Sequence, residues 1–115
     1  MLSIFATSLQ YLSTNISNNE SINPTSDVVK FAFLGPVSSS SAANELVPTS
    51  STTYYTGSWP STQPVANTAN SYRATILVGP GGGAVTLSTG TYLMICKITD
   101  SPEVPVIPCG PVSVS

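Results

Sequence analysis

Asp27–Gly35 reads DVVKFAFLG, and the alternation of its side chains decides the fold. Successive residues of an extended strand point to opposite faces, so Val29, Phe31 and Phe33 share one face while Val28, Lys30, Ala32 and Leu34 share the other. An aromatic and β-branched face suits a pleated surface packed on a core better than it suits a helix.

The same period recurs on either side. SYRATILVG, residues 71–79, sets Tyr72, Ala74, Ile76 and Val78 against Arg73, Thr75 and Leu77. GTYLMICKITD, residues 90–100, sets Tyr92, Met94, Cys96 and Ile98 against Leu93, Ile95 and Lys97. Leu9–Ile16 forms a further strand with Leu12, Thr14 and Ile16 on one face and Leu9 and Tyr11 on the other. In TTYYTGSWP, residues 52–60, Tyr55 and Trp59 share a face until Pro60, which lacks a ladder N–H, stops the strand. The tail EVPVIPCGPVSVS is interrupted by Pro105, Pro108 and Pro111, which predicts an edge or broken strand until Val112 and Val114, with a free edge open to another subunit.

About six or seven short strands separated by turn signals predict an all-β fold, an antiparallel immunoglobulin-like β-sandwich, with a small barrel as the other arrangement. The 115 residues have room for one domain. Two irregular stretches are expected within residues 1–115: a Ser-rich loop at about 35–52, ordered only by a neighbour, and the Pro-rich C-terminal strand at about 102–115. Val29, Phe31, Phe33, Trp59, Ile76, Tyr92 and Met94 are the expected core, with Gly81, Gly82 and Gly90 as turn residues.

Charge narrows the function. Only 7% of residues are charged, three basic and five acidic, and there is no histidine. Three scattered cations cannot neutralise a phosphate backbone, which argues against nucleic-acid binding. The opening MLSIFATSLQYL lacks a basic region and a clean apolar run, so no signal peptide is expected. No apolar run reaches the length of a membrane-spanning helix.

LVGPGGGAVTL, residues 77–87, has the glycines of a phosphate cradle but neither the closing Lys-Ser/Thr nor a following helix pattern, so it is read as a loop or hairpin turn. A nucleophile needs an adjacent base, and none is visible. Asp100 and Glu103 could pair as carboxylates, but TDSPEVP is better read as a turn in which Asp accepts local backbone bonds. No catalytic, cofactor-binding or metal-ligating residue is therefore assigned, and no cofactor. Cys96 and Cys109 would face one another across a hairpin folded about Pro102 and Glu103; buried free thiols are favoured over a disulfide because the prolines disturb that register. Tyr54, Tyr55 and Trp59 could form a sugar-binding platform, with core packing the favoured role.

TSLQYL, NPTSDVVKFAF, GSWP, LVGPGGG, GTYLMICKITDSPEVPV and PVSVS, taken in order along the chain, carry a resemblance. The chain resembles small virion-associated proteins encoded among the head and neck genes of long-tailed bacteriophages. GTYLMICKITDSPEVPV is the most specific element; the Ser-rich segment Ser38–Ser51 and Cys109 depart from the pattern. The resemblance implies a non-enzymatic structural protein, made in the host bacterial cytoplasm and carried in the virion. It would bind the major capsid protein or the portal and neck proteins as a homo-oligomer or as lattice-bound copies, in a decoration or connector role. An immunoglobulin-like module reading host carbohydrate on a tail or particle surface is the alternative.

Overall fold

The computed structural model describes residues 2–17, 27–60, 71–99 and 104–115. Strands are β1 (Leu2–Ile4), β2 (Gln10–Ser17), β3 (Val28–Val37), β4 (Tyr55–Thr56), β5 (Ser71–Val78), β6 (Gly90–Thr99) and β7 (Val106–Val114), with one short helix, α1 (Ser40–Asn44), between β3 and β4. They form a five-stranded sheet in the order β1-β7-β6-β3-β4 and a two-stranded sheet, β2-β5.

The alternation read from the sequence orients both layers. Val29 and Phe31 of β3, Tyr92, Met94, Cys96 and Ile98 of β6, and Val112 and Val114 of β7 meet Leu12 and Ile16 of β2 and Ala74, Ile76 and Val78 of β5 in one apolar core. Of the expected core residues, Val29, Phe31, Ile76, Tyr92 and Met94 are buried, whereas Phe33 and Trp59 are only partly buried and pack against its margin. The tyrosine hydroxyl of Tyr92 donates to the Ser88 carbonyl at 3.0 Å, which satisfies the one polar atom that side chain carries inward.

Three expectations are corrected. The sheets are not purely antiparallel: β1 runs parallel to β7, with Leu2 beside Val112 and Ile4 beside Val114. Short and mixed in composition, β1 has no period of its own; its place is set by ladder bonds that continue beyond it, Ser115 N–H to the Ile4 carbonyl at 2.9 Å and Ala6 N–H to the Ser115 carbonyl at 2.8 Å.

The Pro-rich tail is likewise no free edge at its end. From Val112 to Val114 it lies between β6 and β1, with Val112 and Val114 buried, so it is no loose arm. Its prolines are accommodated by a register shift against β6 between Met94 and Ile95, where Cys109 is the extra residue and Gly110 takes a positive φ of 102°.

The stretch 35–52 is not a plain loop. β3 continues to Val37, and Ser39 caps α1 by accepting the Ala42 N–H on its hydroxyl at 3.1 Å. The helix presses Ala43, fully buried, onto Ala32, Leu93 and Ile95, forming a second small core on the outer face of the large sheet. Side chains as short as alanine on both surfaces let the helix sit close, and this explains why β6 is apolar on both faces.

Gly81 and Gly82 lie in a turn as expected, but Gly90 opens β6, where a Cβ would strike the Pro36 ring. The polar segments 18–26 and 61–70 and the turn expected at Asp100 and Glu103 lie outside the described residues.

Candidate functional site

A groove of about 400 Å³ lies on the outer face of the small sheet, lined by Tyr11, Ser13, Ser58, Pro60, Arg73 and Thr75. Strand parity puts them there: Tyr11 and Ser13 of β2 and Arg73 and Thr75 of β5 are the residues that alternate with the buried Leu12, Ala74 and Ile76. Ser13 stands directly beside Thr75 in the ladder.

Ser58 arrives by a crossing between sheets. β4 pairs with β3, and one residue later Gly57 donates its N–H to the Val29 carbonyl at 2.9 Å. Ser58 then pairs with β5, exchanging two backbone bonds of 2.8 Å with Thr75 and a hydroxyl contact of 3.1 Å with the Thr75 side chain. The crossing needs glycine: a Cβ on Gly57 would stand 2.5 Å from the Phe31 ring and 2.7 Å from the Thr75 carbonyl oxygen.

The groove thus combines one guanidinium, one largely exposed phenol ring and three hydroxyls. It can hydrogen-bond and stack on a polar or anionic group, and its lining contains no carboxylate, imidazole or thiol to move a proton. The parity that sets Arg73 apart from Ile76, and Tyr11 apart from Leu12, was visible in the sequence, but which side of β2 faces outward and the arrival of Ser58 beside Thr75 were not.

The aromatic trio read from the sequence is not brought together as one platform. Tyr54 packs against the outer cluster, with the Lys97 ammonium 3.9 Å from its ring centre, whereas Tyr55 and Trp59 pack against the main core. Trp59 donates its indole N–H to the Asp27 carbonyl at 2.9 Å, which ties the segment after β4 to the residue that precedes β3.

Cys96 and Cys109 are free thiols. Cys96 stands opposite Ile107, which leaves Cys109 displaced along β7 by the register shift. The Cys109 thiol and burial together push Cys96 well above the usual thiol range. Cys109 is lowered by its hydrogen bond with Cys96, against the effect of burial.

The glycine-rich loop folds back on the end of β5. Gly83 and Ala84 turn back to bond the carbonyls of Gly79 and Leu77 at 3.1 and 2.8 Å, and Val85 lies alongside Val78. Among the described residues no three His, Cys, Asp or Glu side chains gather into a metal-holding group, and no helix is long and apolar enough to cross a membrane.

Large apolar side chains stand out around the β1–β2 connection: Phe5 is 68% exposed, Tyr11 63% and Leu9 50%. No protein family, curated protein or solved structure matches the chain.

Proposed function

We propose that this chain is a non-enzymatic structural protein of a bacteriophage particle, an immunoglobulin-like sandwich that binds the capsid shell or the head-tail neck and supports assembly or stability. The strand arrangement supports the fold part of this reading: β7-β6-β3-β4 faces β2-β5 and the first strand runs along the last, an order met in immunoglobulin-like sandwiches. The observation that carries the functional part is a surface made for contact. Eight charged side chains, three basic and five acidic, serve 115 residues, while Phe5, Leu9 and Tyr11 each stand exposed around the β1–β2 connection. GTYLMICKITDSPEVPV, with its resemblance to head and neck proteins of long-tailed phages, supplies the particle.

Quantitative mass spectrometry of purified particles tests it. Hundreds of copies per particle mean a shell decoration, and about a dozen or fewer mean a closed ring at the neck or tail. None would remove the virion role.

The groove favours one second reading, a module that binds host carbohydrate. Tyr11 offers a ring face and Arg73, Ser13, Ser58 and Thr75 offer polar contacts of the kind a sugar uses. Glycan-array binding that is lost in Arg73→Ala with the fold retained would support it; a blank array for the native chain would remove it.

A further inference from the structure

The outer edge of β2 is the longest uninterrupted strand edge that the fold leaves open among the described residues: β4 covers only Lys30 and Phe31 of β3, but the rest of that edge carries Gly35 and Pro36, and the far edge of β5 is bridged at Thr75 and Val78. β2 pairs with β5 through eight consecutive residues without a register shift, and no described strand lies on its other side. The outer strands of the large sheet are short, β1 with three residues and β4 with two, and the exposed part of β7 carries Pro108 and Pro111. Short edges, prolines and bulges are the means by which sheets avoid pairing with other chains. QYLSTNIS has none of them: no proline, no glycine, no charge.

In an antiparallel ladder every second residue aims both backbone groups away from its partner, so alternate residues of β2 present an N–H and a C=O to the open side. We propose that a second copy of this chain adds its own β2 antiparallel to this edge, making a two-fold dimer with one continuous sheet β5-β2-β2-β5.

The strand is self-complementary in one register. A two-fold axis perpendicular to the sheet at Thr14 places Leu12 opposite Ile16 of the other copy, and Thr14 opposite Thr14, all on the core-facing side. On the outer side Ser13 falls opposite Asn15. Apolar meets apolar and hydroxyl meets hydroxyl or amide, a match that neighbouring strands reward, and no like charges oppose each other. Roughly six to eight inter-chain backbone hydrogen bonds result. The exposed Leu9 and Tyr11 flank the start of the strand and gain cover from the same contact. This pairing does not depend on where the chain works, and it differs from the tail-edge pairing that the Pro-rich C-terminus suggests.

Sedimentation equilibrium of the full chain tests the dimer. A strand-edge interface is small, so association is expected at roughly 10–100 µM, and a monomer persisting to about 1 mM overturns the proposal. Ser13→Lys/Asn15→Lys sets two lysine pairs against each other across the axis at exposed positions and is expected to weaken association at least about tenfold. Ser13→Glu/Asn15→Glu is expected to do the same alone, and mixing the two variants restores a heterodimer. Dimerisation of either charged variant with native affinity, or failure of the mixture to associate, places the contact elsewhere and overturns the proposal. Amide exchange in the native chain gives a readout free of substitutions: alternate residues of β2 gain protection as concentration rises through the association range, and unchanged exchange there with a dimer present overturns the assignment to β2.

Discussion

Phe31→Ala removes the largest side chain that the core buries completely. Returning a phenyl ring to water costs about 2–3 kcal/mol in lost transfer energy. The ring-sized void adds about 1–2 kcal/mol because the walls close only in part. Closure is resisted here: Gly57, whose Cα lies against the ring, is held by its bond to the Val29 carbonyl, and Ser58 next to it is held by two bonds to Thr75. The expected loss is therefore about 3–5 kcal/mol, a large share of the roughly 5–15 kcal/mol that holds a domain together.

Urea unfolding followed by the fluorescence of Trp59, the chain's one tryptophan, measures it, since that indole packs on the core and bonds to Asp27. The midpoint should fall by about 1.5–2.5 M for a slope of about 2 kcal/mol/M, the middle of the range usual for small domains in urea. Val28→Ala, one strand position from the buried Val29 but itself 49% exposed, should change stability by less than about 0.5 kcal/mol. A Phe31→Ala loss below about 1.5 kcal/mol, or one equal to that of Val28→Ala, would refute the placement of Phe31 at the centre of the two layers.

Three further outcomes follow from single contacts. Gly79→Ala should destabilise by at least about 2 kcal/mol in chemical denaturation, because Gly79 has a φ of 132° and a Cβ there would strike the Ser8 carbonyl; Gly81→Ala, at φ 86° with open space around it, should cost only about 1 kcal/mol. Tyr92→Phe should lose about 1 kcal/mol, the net worth of the hydroxyl's bonds to the carbonyl and hydroxyl of Ser88, and a neutral result in the same assay would show them to be replaced by water at no cost. Disulfide reagents at pH 8 should leave Cys96 unmodified in the folded chain and label both cysteines in denaturant, since its thiol is buried and held protonated; rapid native labelling of Cys96 would contradict that environment.

How much was legible depends on how local each feature is. Val29 and Phe31 could be assigned to an inner face because alternation along a strand is written in adjacent residues. The same holds for the faces of Ile76 and of Tyr92 and Met94, whereas in β2 alternation separates Leu12 and Ile16 from Leu9 and Tyr11 without telling which side faces inward. Phe33 follows the same parity yet lies at the core's margin, since β3 meets a register shift between Leu34 and Val37 and leaves the facing layer behind. Tyr54, Tyr55 and Trp59 read as one aromatic group because they are close in sequence, but parity sends Tyr54 to the outer cluster and Tyr55 inward. The groove was half legible: Tyr11, Ser13, Arg73 and Thr75 fall on one parity in each of two separate strands, while nothing in GSWP tells which strand Ser58 will join.

By itself the sequence determined the alternating faces of β2, β3, β5 and β6 and the scarcity of charged and proton-transferring groups, because each is a property of residue type and short-range period. Only the tertiary structure decided that β1 lies parallel to β7, that the Pro-rich tail ends between two strands, that Ala43 seals a second core and that Gly57 carries the chain from one sheet to the other. Ladder hydrogen bonds are made by a backbone common to all residues, and close packing depends on the shape of a surface distant in the chain. Neither leaves a mark in the neighbouring sequence. The open edge of β2 belongs to both: its uncharged alternation is written in QYLSTNIS, but its lack of a described second partner exists only once every other strand has found its place.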